Sequence, residues 1–231
     1  MSSNIFVTEA LDDFLGSVSF IQPSRKRVDW TLKMEEHLGD RNPKDFLPVI
    51  HLPPGFHKAV FRQASWGLLH SGILHRKDQS KYVHAPAEAL LEEDPWQRVV
   101  YQSSERCLIP ISGFYVSTEG TRHRVLPLIS SGFLVAGLMS PWGKNLEVLQ
   151  TFTMVTTESN GELAPFSDRM PAILPPPFCM AMADRKGSHE SCRPAGASPK
   201  RDVSDRRRGR STEPGFLLNM QEVLRFSSRP L

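Results

Sequence analysis

Cysteine is scarce in this chain of 231 residues. Cys107, Cys179 and Cys192 are the only three, and no pair has CxxC spacing. That argues against a disulfide scaffold and a cysteine zinc site, and makes a reducing cytoplasm the expected compartment. No apolar run approaches the ~18 residues of a membrane-spanning helix, so no membrane role is expected. The N-terminus lacks a basic region and carries Glu9, Asp12 and Asp13 instead, which argues against a secretory signal. Hydrophobic residues, at 39%, suffice for one core. Proline is plentiful at 19 residues, so interrupted strands and long loops are expected.

Charge of one sign is also lacking in the body of the chain. The net charge of +3 is concentrated in Asp184–Pro214, where nine Lys/Arg meet five Asp/Glu; residues 1–183 hold 17 basic and 19 acidic groups. Any nucleic-acid site in the body must therefore be a local patch rather than a global field. Asp184–Pro214 is poor in core formers and reads as a disordered basic linker. Its run Arg206-Arg207-Arg208-Gly209-Arg210 could bind phosphate backbone nonspecifically, or simply be a solvated charged stretch.

The hydrophobic pattern changes character along the chain. Thr8 can cap a short helix that carries Leu11, Phe14 and Leu15 and closes at Gly16; Asp29 can cap a second with Trp30, Met34 and Leu38, ended by Gly39. Lys58–Leu69 reads as a strand. Pro86 opens a helical stretch with Leu90 and Leu91, and Asp94-Pro95 opens another. From there Arg106–Val116, Arg124–Ile129, Phe133–Met139, Leu149–Thr157 and Met170–Leu174 are short apolar or β-branched runs separated by turn formers. Phe216, Leu217, Met220, Val223 and Leu224 share a helical face. The expected fold is α+β, a mostly antiparallel, covered or barrel-like sheet with short flanking helices. Residues 1–183 are expected to form one domain, 184–214 the linker and 215–231 a short C-terminal helix.

Five segments in order carry more than a fold class. They are Trp66-Gly67-Leu68, Ala85-Pro86-Ala87-Glu88, Glu105–Tyr115 with its Ser112-Gly113-Phe114-Tyr115 end, Val135-Ala136-Gly137-Leu138 with Trp142, and Thr151–Thr157 followed by Asn160 and Ser167-Asp168-Arg169-Met170-Pro171. Together, over residues 45–175, they resemble the SRAP (SOS-response-associated peptidase) family, whose members process abasic sites in single-stranded DNA. The resemblance implies a specific chemistry. Family members expose a cysteine at position 2, its α-amine forms a Schiff base with the abasic aldehyde, and the thiol closes a stable thiazolidine crosslink. Asn, Glu and His side chains support these steps, and no cofactor is needed. An amine nucleophile must be neutral, and imine formation needs a proton shuttle.

The chemical groups are nevertheless replaced. Ser2 stands where the family has cysteine, and Ser2-Ser3-Asn4 replaces its Cys-Gly-Arg opening. His84 takes the Asn position, Pro86 a phosphate-binding Arg position, Val116 the Glu position and Ser167 the His position; His70 and Gly72 replace a proline and an aromatic. Valine carries no proton, and serine titrates nowhere near neutrality. The resemblance thus places the family site at Ser2, His84 and Ser167 and implies that stable crosslinking is weakened or lost. It leaves a DNA-binding surface: Arg169 matches an arginine that holds a phosphate, Thr156 a threonine lining the abasic-site pocket, and Trp66 begins a segment near the DNA cleft.

Blander readings apply to each of these. Trp66 beside Gly67 also fits a buried core residue, Arg169 could pair with Asp168 or Glu162, and Thr156 is a good strand former. Asn160-Gly161 suits a turn. His70, His75 and His84 have no helix-face metal spacing, and no metal is expected. Ser167-Asp168 lacks the elbow of a hydrolase nucleophile, and Cys107 reads as a small buried hydrophobe. The leading expectation is a protein that binds single-stranded, possibly abasic, DNA in the damage response. The alternatives are an active enzyme using the Ser2 α-amine, and a non-catalytic interaction protein acting through the basic tail or an exposed apolar patch, the latter favouring a homodimer.

Overall fold

The computed structural model describes residues 4–18, 34–51, 60–70, 75–94, 96–97, 105–128, 130–144, 147–174 and 224–227. The strands are β1 (Ile5–Val7), β2 (Gly39–Arg41), β3 (Phe46–His51), β4 (Val60–Trp66), β5 (His84–Pro86), β6 (Glu105–Ile111), β7 (Gly113–Thr118), β8 (Thr121–Pro127), β9 (Phe133–Lys144), β10 (Glu147–Glu158), β11 (Arg169–Pro171) and β12 (Leu224–Ser227); the helix α1 spans Ala10–Ser17.

Five strands close on themselves. β3 pairs β4 and β6, β6 pairs β9, β9 pairs β10, and β10 returns to β4. The β4–β10 seam is parallel and short, with Thr151 opposite Ser65 and Phe152 opposite Trp66, and the other four pairings are antiparallel. Closure removes the sheet edges that an open arrangement would expose. A second sheet, in the order β12-β8-β7-β1-β2, is antiparallel throughout.

The chain crosses from barrel to second sheet at Ser112-Gly113, between β6 and β7. The Ser112 N–H donates to the Phe6 carbonyl, and its Oγ accepts the Thr8 N–H at 2.8 Å. A Cβ on Gly113 would lie 2.3 Å from the Phe6 ring and 2.4 Å from the Val125 carbonyl, so only glycine lets β1 and β8 approach. β7 and β8 are joined by Glu119-Gly120, both at positive φ (50° and 80°), the backbone of a tight two-residue hairpin.

Strands apolar on both faces feed two buried clusters. The main one fills the barrel and the space under α1, and includes Leu11, Leu15, Leu47, Val49, Trp66, Leu108, Val116, Phe152 and Met154. The second gathers Leu68, Ala85, Ala89, Trp96, Ala136, Leu138 and Val155. Each fully buried aliphatic or aromatic side chain contributes about 1.5–3 kcal/mol. On the second sheet the guanidiniums of Arg122 and Arg124 lie 3.5 Å and 4.2 Å over the rings of Tyr115 and Phe6, and the Tyr115 hydroxyl donates to Asp40.

Several local expectations change. Thr8 does not cap α1 through its side chain, which contacts the Ser112 hydroxyl instead; its carbonyl receives the Leu11 N–H. The helix runs one residue past Gly16. Of the second helix, Asp29 and Trp30 lie outside the described residues, and Met34–His37 is a single 3-10 turn. Gly39, at φ +93°, starts β2 rather than ending a helix. Leu90 and Leu91 lie in consecutive turns, not a helix. Of the C-terminal segment only Leu224–Ser227 is described, and it is a strand paired with β8, so these four residues are not the expected helix. The linker 184–214 lies outside the described residues.

Candidate nucleic-acid interface

The site is built on the last residues of β10. There β9 and β4, which flank β10 through the barrel, give way to β11 on one side and β5 on the other. Thr156 consequently sits between Pro171 of β11 and Pro86 of β5. Neither proline has an N–H to donate across the strand. The Thr156 carbonyl is taken instead by the Ala87 N–H and by the Arg169 guanidinium, each at 2.8 Å.

Arg169 is thereby fixed. Its Nε donates to the Thr156 Oγ1 at 3.2 Å, and one terminal nitrogen serves both the Thr156 carbonyl and, at 2.9 Å, a carboxylate oxygen of Glu88. Thr156 is buried, while the Arg169 and Glu88 side chains keep 32% and 56% of their exposure. The guanidinium thus lies across the end of the barrel with one edge on the protein and the rest toward solvent. Ser167 supports it from behind: its hydroxyl donates to the Arg169 carbonyl at 2.8 Å. Asn160 holds the intervening turn through Oδ1, which accepts the Leu163 N–H.

His84 stands opposite Met154 on β5, two residues before Pro86. Burial pushes its imidazole down to about 4, and the positive charge of Arg169 works in the same direction. It is therefore neutral at pH 7. Its Nε2 is buried with no hydrogen-bond partner among the described residues. Thr156, Arg169, Ser167 and His84 thus come together around one end of β10.

Other expected residues fall elsewhere. Trp66 is fully buried, with its ring parallel to Phe152 at 6.4 Å and its Nε1–H bonded to the Val83 carbonyl at 3.0 Å. It offers no face to a base, so its expected role in the DNA surface is corrected to a core role; Gly67, at φ +114° against Gln79, is structural too. Val116 is buried in the same cluster as Trp66, Met154 and Met170. Ser2 lies outside the described residues. The nearest described residue, Asn4, accepts the Tyr115 N–H through its carbonyl, one position from Val116. Cys107 is buried within β6.

Arg169 pairs with neither Asp168 nor Glu162, the acids nearest in sequence, but with Glu88. The signal for it was the Ala85-Pro86-Ala87-Glu88 segment, whose strand brings Glu88 alongside β10. Among the described residues no cluster of His, Cys, Asp and Glu could hold a metal ion, and no helix is long and apolar enough to cross a membrane. A cleft of about 450 Å³ lined by Phe6, Thr8, Glu9, Leu38, Asp40 and Arg124 contains none of the site residues.

Known proteins match this chain in sequence and in shape. The abasic site processing protein YoaM of Bacillus subtilis is 32% identical over 115 residues, covering 47% of this chain and 50% of that protein. The abasic site processing protein YoqW of the same organism is 31% identical over an equal length, with the same coverage. The chain spans about half the length of the curated relatives it matches. Among solved structures, a Bacteroides thetaiotaomicron protein superimposes with a TM-score of 0.64 at 18% identity, over 83% of this chain and 84% of that one. A Bordetella bronchiseptica protein gives 0.62 at 14% identity, over 81% and 90%. These likenesses establish the fold. The model of the SOS response associated peptidase (SRAP) family matches residues 31–194, and with the same motifs holding the barrel together, the chain belongs to that family.

Proposed function

We propose that this protein binds single-stranded DNA at abasic sites in the DNA damage response, with the family's crosslinking chemistry weakened or lost. The observation that carries the reading is the partly exposed guanidinium of Arg169, fixed on Thr156 at the end of β10. Both residues stand at positions where the family resemblance implies a phosphate contact and the abasic-site pocket, and they are in direct contact. A preoriented guanidinium suits a phosphate because its planar donors match the oxygens without further ordering.

Reduced chemistry follows from the groups around it. Val116 is buried and carries no proton, and the Ser167 hydroxyl is engaged with backbone. A hydroxyl at Ser2 would close an oxazolidine that reopens more readily than a thiazolidine. The test is a titration of the full chain against a fluorescent single-stranded oligonucleotide, with and without one abasic site, at two salt concentrations. Binding that tightens as salt falls and prefers the abasic strand is expected. No binding below about 100 µM at low salt would refute the proposal, because even one phosphate contact should strengthen as counterions thin out.

One observation favours residual catalysis as a second reading. His84, neutral and with a buried Nε2 that has no partner among the described residues, could relay a proton from the nitrogen to the departing hydroxyl while an α-amine at Ser2 condenses with the sugar aldehyde, so that water leaves with no net proton taken up. Borohydride would then trap the imine as a stable secondary amine. Full trapping after the N-terminus is blocked would refute this reading.

A further inference from the structure

We infer that Glu88 is a built-in competitor for the phosphate at Arg169 and sets how weakly the mouth of the barrel holds an undamaged strand; this rests on the reading of Arg169 as a phosphate contact. Arg169 meets two kinds of partner. Thr156 is buried and accepts from the guanidinium at two points, Oγ1 and the carbonyl, which suffices to fix its plane. Glu88 adds a third contact from the more exposed side, where its own side chain keeps over half its exposure. An anion arriving from solvent approaches on that same side.

The charge balance gives this contact its weight. Pro86, two residues before Glu88, stands where the family resemblance implies a second arginine. At this end of β10 Arg169 is paired with Glu88, the exposed Glu158 stands opposite it across the β10–β11 pair, and His84 is neutral. An exposed ion pair holds its partners only weakly, so a phosphate can displace Glu88. It does so against like-charge repulsion and without net gain of an opposite charge. Because Thr156 positions the guanidinium, loss of the Glu88 charge should strengthen anion binding rather than disorder the arginine.

The experiment compares Glu88→Gln with the native chain by fluorescence anisotropy on a single-stranded oligonucleotide across a salt series. Glu88→Gln keeps the shape of the exposed side chain and removes only its charge. It is expected to bind severalfold tighter at low salt. The slope of log K against log salt should steepen, by less than the ~0.7 of one whole phosphate neutralised on a single strand, because native Arg169 already makes part of that contact. Glu92→Gln removes the same charge from an exposed position in the next turn and should change binding much less. In an Arg169→Gln background, Glu88→Gln should gain clearly less than in the native chain, because the competition for the guanidinium is gone and only like-charge repulsion is relieved. Equal gains from Glu88→Gln and Glu92→Gln, or weaker binding by Glu88→Gln, would overturn the inference while leaving the phosphate contact standing. Failure of the native chain to bind the oligonucleotide at low salt would instead remove the phosphate contact, and the inference with it.

Discussion

The indole of Trp66 lies parallel to the ring of Phe152, at an interplanar angle of 6°, across the only parallel seam of the barrel ring. The Nε1–H is bonded to Val83, so both the ring and its polar atom are committed to the interior. Trp66→Ala should destabilise the protein by about 3–5 kcal/mol through lost burial and the cavity left behind. Trp66→Phe, which keeps most of the packing, should cost less. Urea unfolding followed by far-ultraviolet circular dichroism checks both. If Trp66→Phe lowers oligonucleotide affinity strongly while leaving stability intact, the core assignment is wrong.

The neighbouring glycine gives a sharper test. Gly67 has φ +114°, and a Cβ there would fall 2.5 Å from the Gln79 carbonyl oxygen, an atom fixed in backbone. Gly67→Ala should cost at least about 1–3 kcal/mol from the backbone conformation alone, with the clash in addition. A Gly67→Ala protein with an unchanged urea midpoint would contradict the turn described for the Trp66-Gly67-Leu68 segment.

Stability should fall in mild acid. Burial holds His51 and His84 at about 4, helped by Arg62 for His51, and burial also lowers His37 despite its bond to the Phe46 carbonyl. The unfolded chain, with imidazoles near 6.5, binds more protons than the native one between pH 6.5 and 4. Stability therefore drops as pH falls through that window and is insensitive to these groups above it. Each such imidazole adds a slope of up to about 1.4 kcal/mol per pH unit. Urea midpoints at pH 7.5, 6 and 5 should decline, and His84→Asn should reduce the decline. A midpoint that rises on acidification would rule the assignment out.

Arg169 should act as a single phosphate contact. Arg169→Gln is expected to weaken oligonucleotide binding for all sequences alike and to make the salt slope shallower by about 0.7. Thr156→Val, which removes the Oγ1 acceptor and keeps the strand, should weaken binding by a smaller factor because the Thr156 carbonyl still holds the guanidinium. An Arg169→Gln slope equal to the native one would move the phosphate contact elsewhere.

Much of the barrel was legible in the sequence. The runs Arg106–Val116, Arg124–Ile129, Phe133–Met139 and Leu149–Thr157 fall on β6 to β10, because β-branched residues between turn formers leave few other choices. Their apolar character on both faces is matched by two separate buried clusters. The motif Ser112-Gly113 was visible as a signature, but its purpose, a corner between two sheets, depended on Phe6 and Val125 from distant segments. Helix starts were less legible. Thr8 has the side chain of a cap, yet Ser112 across the sheet claims it.

The site divides the same way. Thr156 and Arg169 stand out in the sequence by position alone, and their contact comes from the β10–β11 pairing. Trp66 was ambiguous because a tryptophan beside glycine suits both a cleft and a core; only the Val83 carbonyl and Phe152, both supplied by other strands, settle it. Glu88 lies within a recognisable motif, but its partner is not legible there, since pairing Glu88 with Arg169 requires the β5–β10–β11 arrangement, which local pattern does not encode.

The narrow β4–β10 seam has a consequence for how the polypeptide matures. Ser65 and Trp66 leave the ribosome long before Thr151 and Phe152 emerge to meet them. Until then β3 and β4 form a hairpin with an unsatisfied outer edge and an uncovered indole, so cotranslational assembly waits on the second half of the domain. Contacts so far apart along the chain slow folding, and a nascent chain stalled before β10 would be a strong chaperone client.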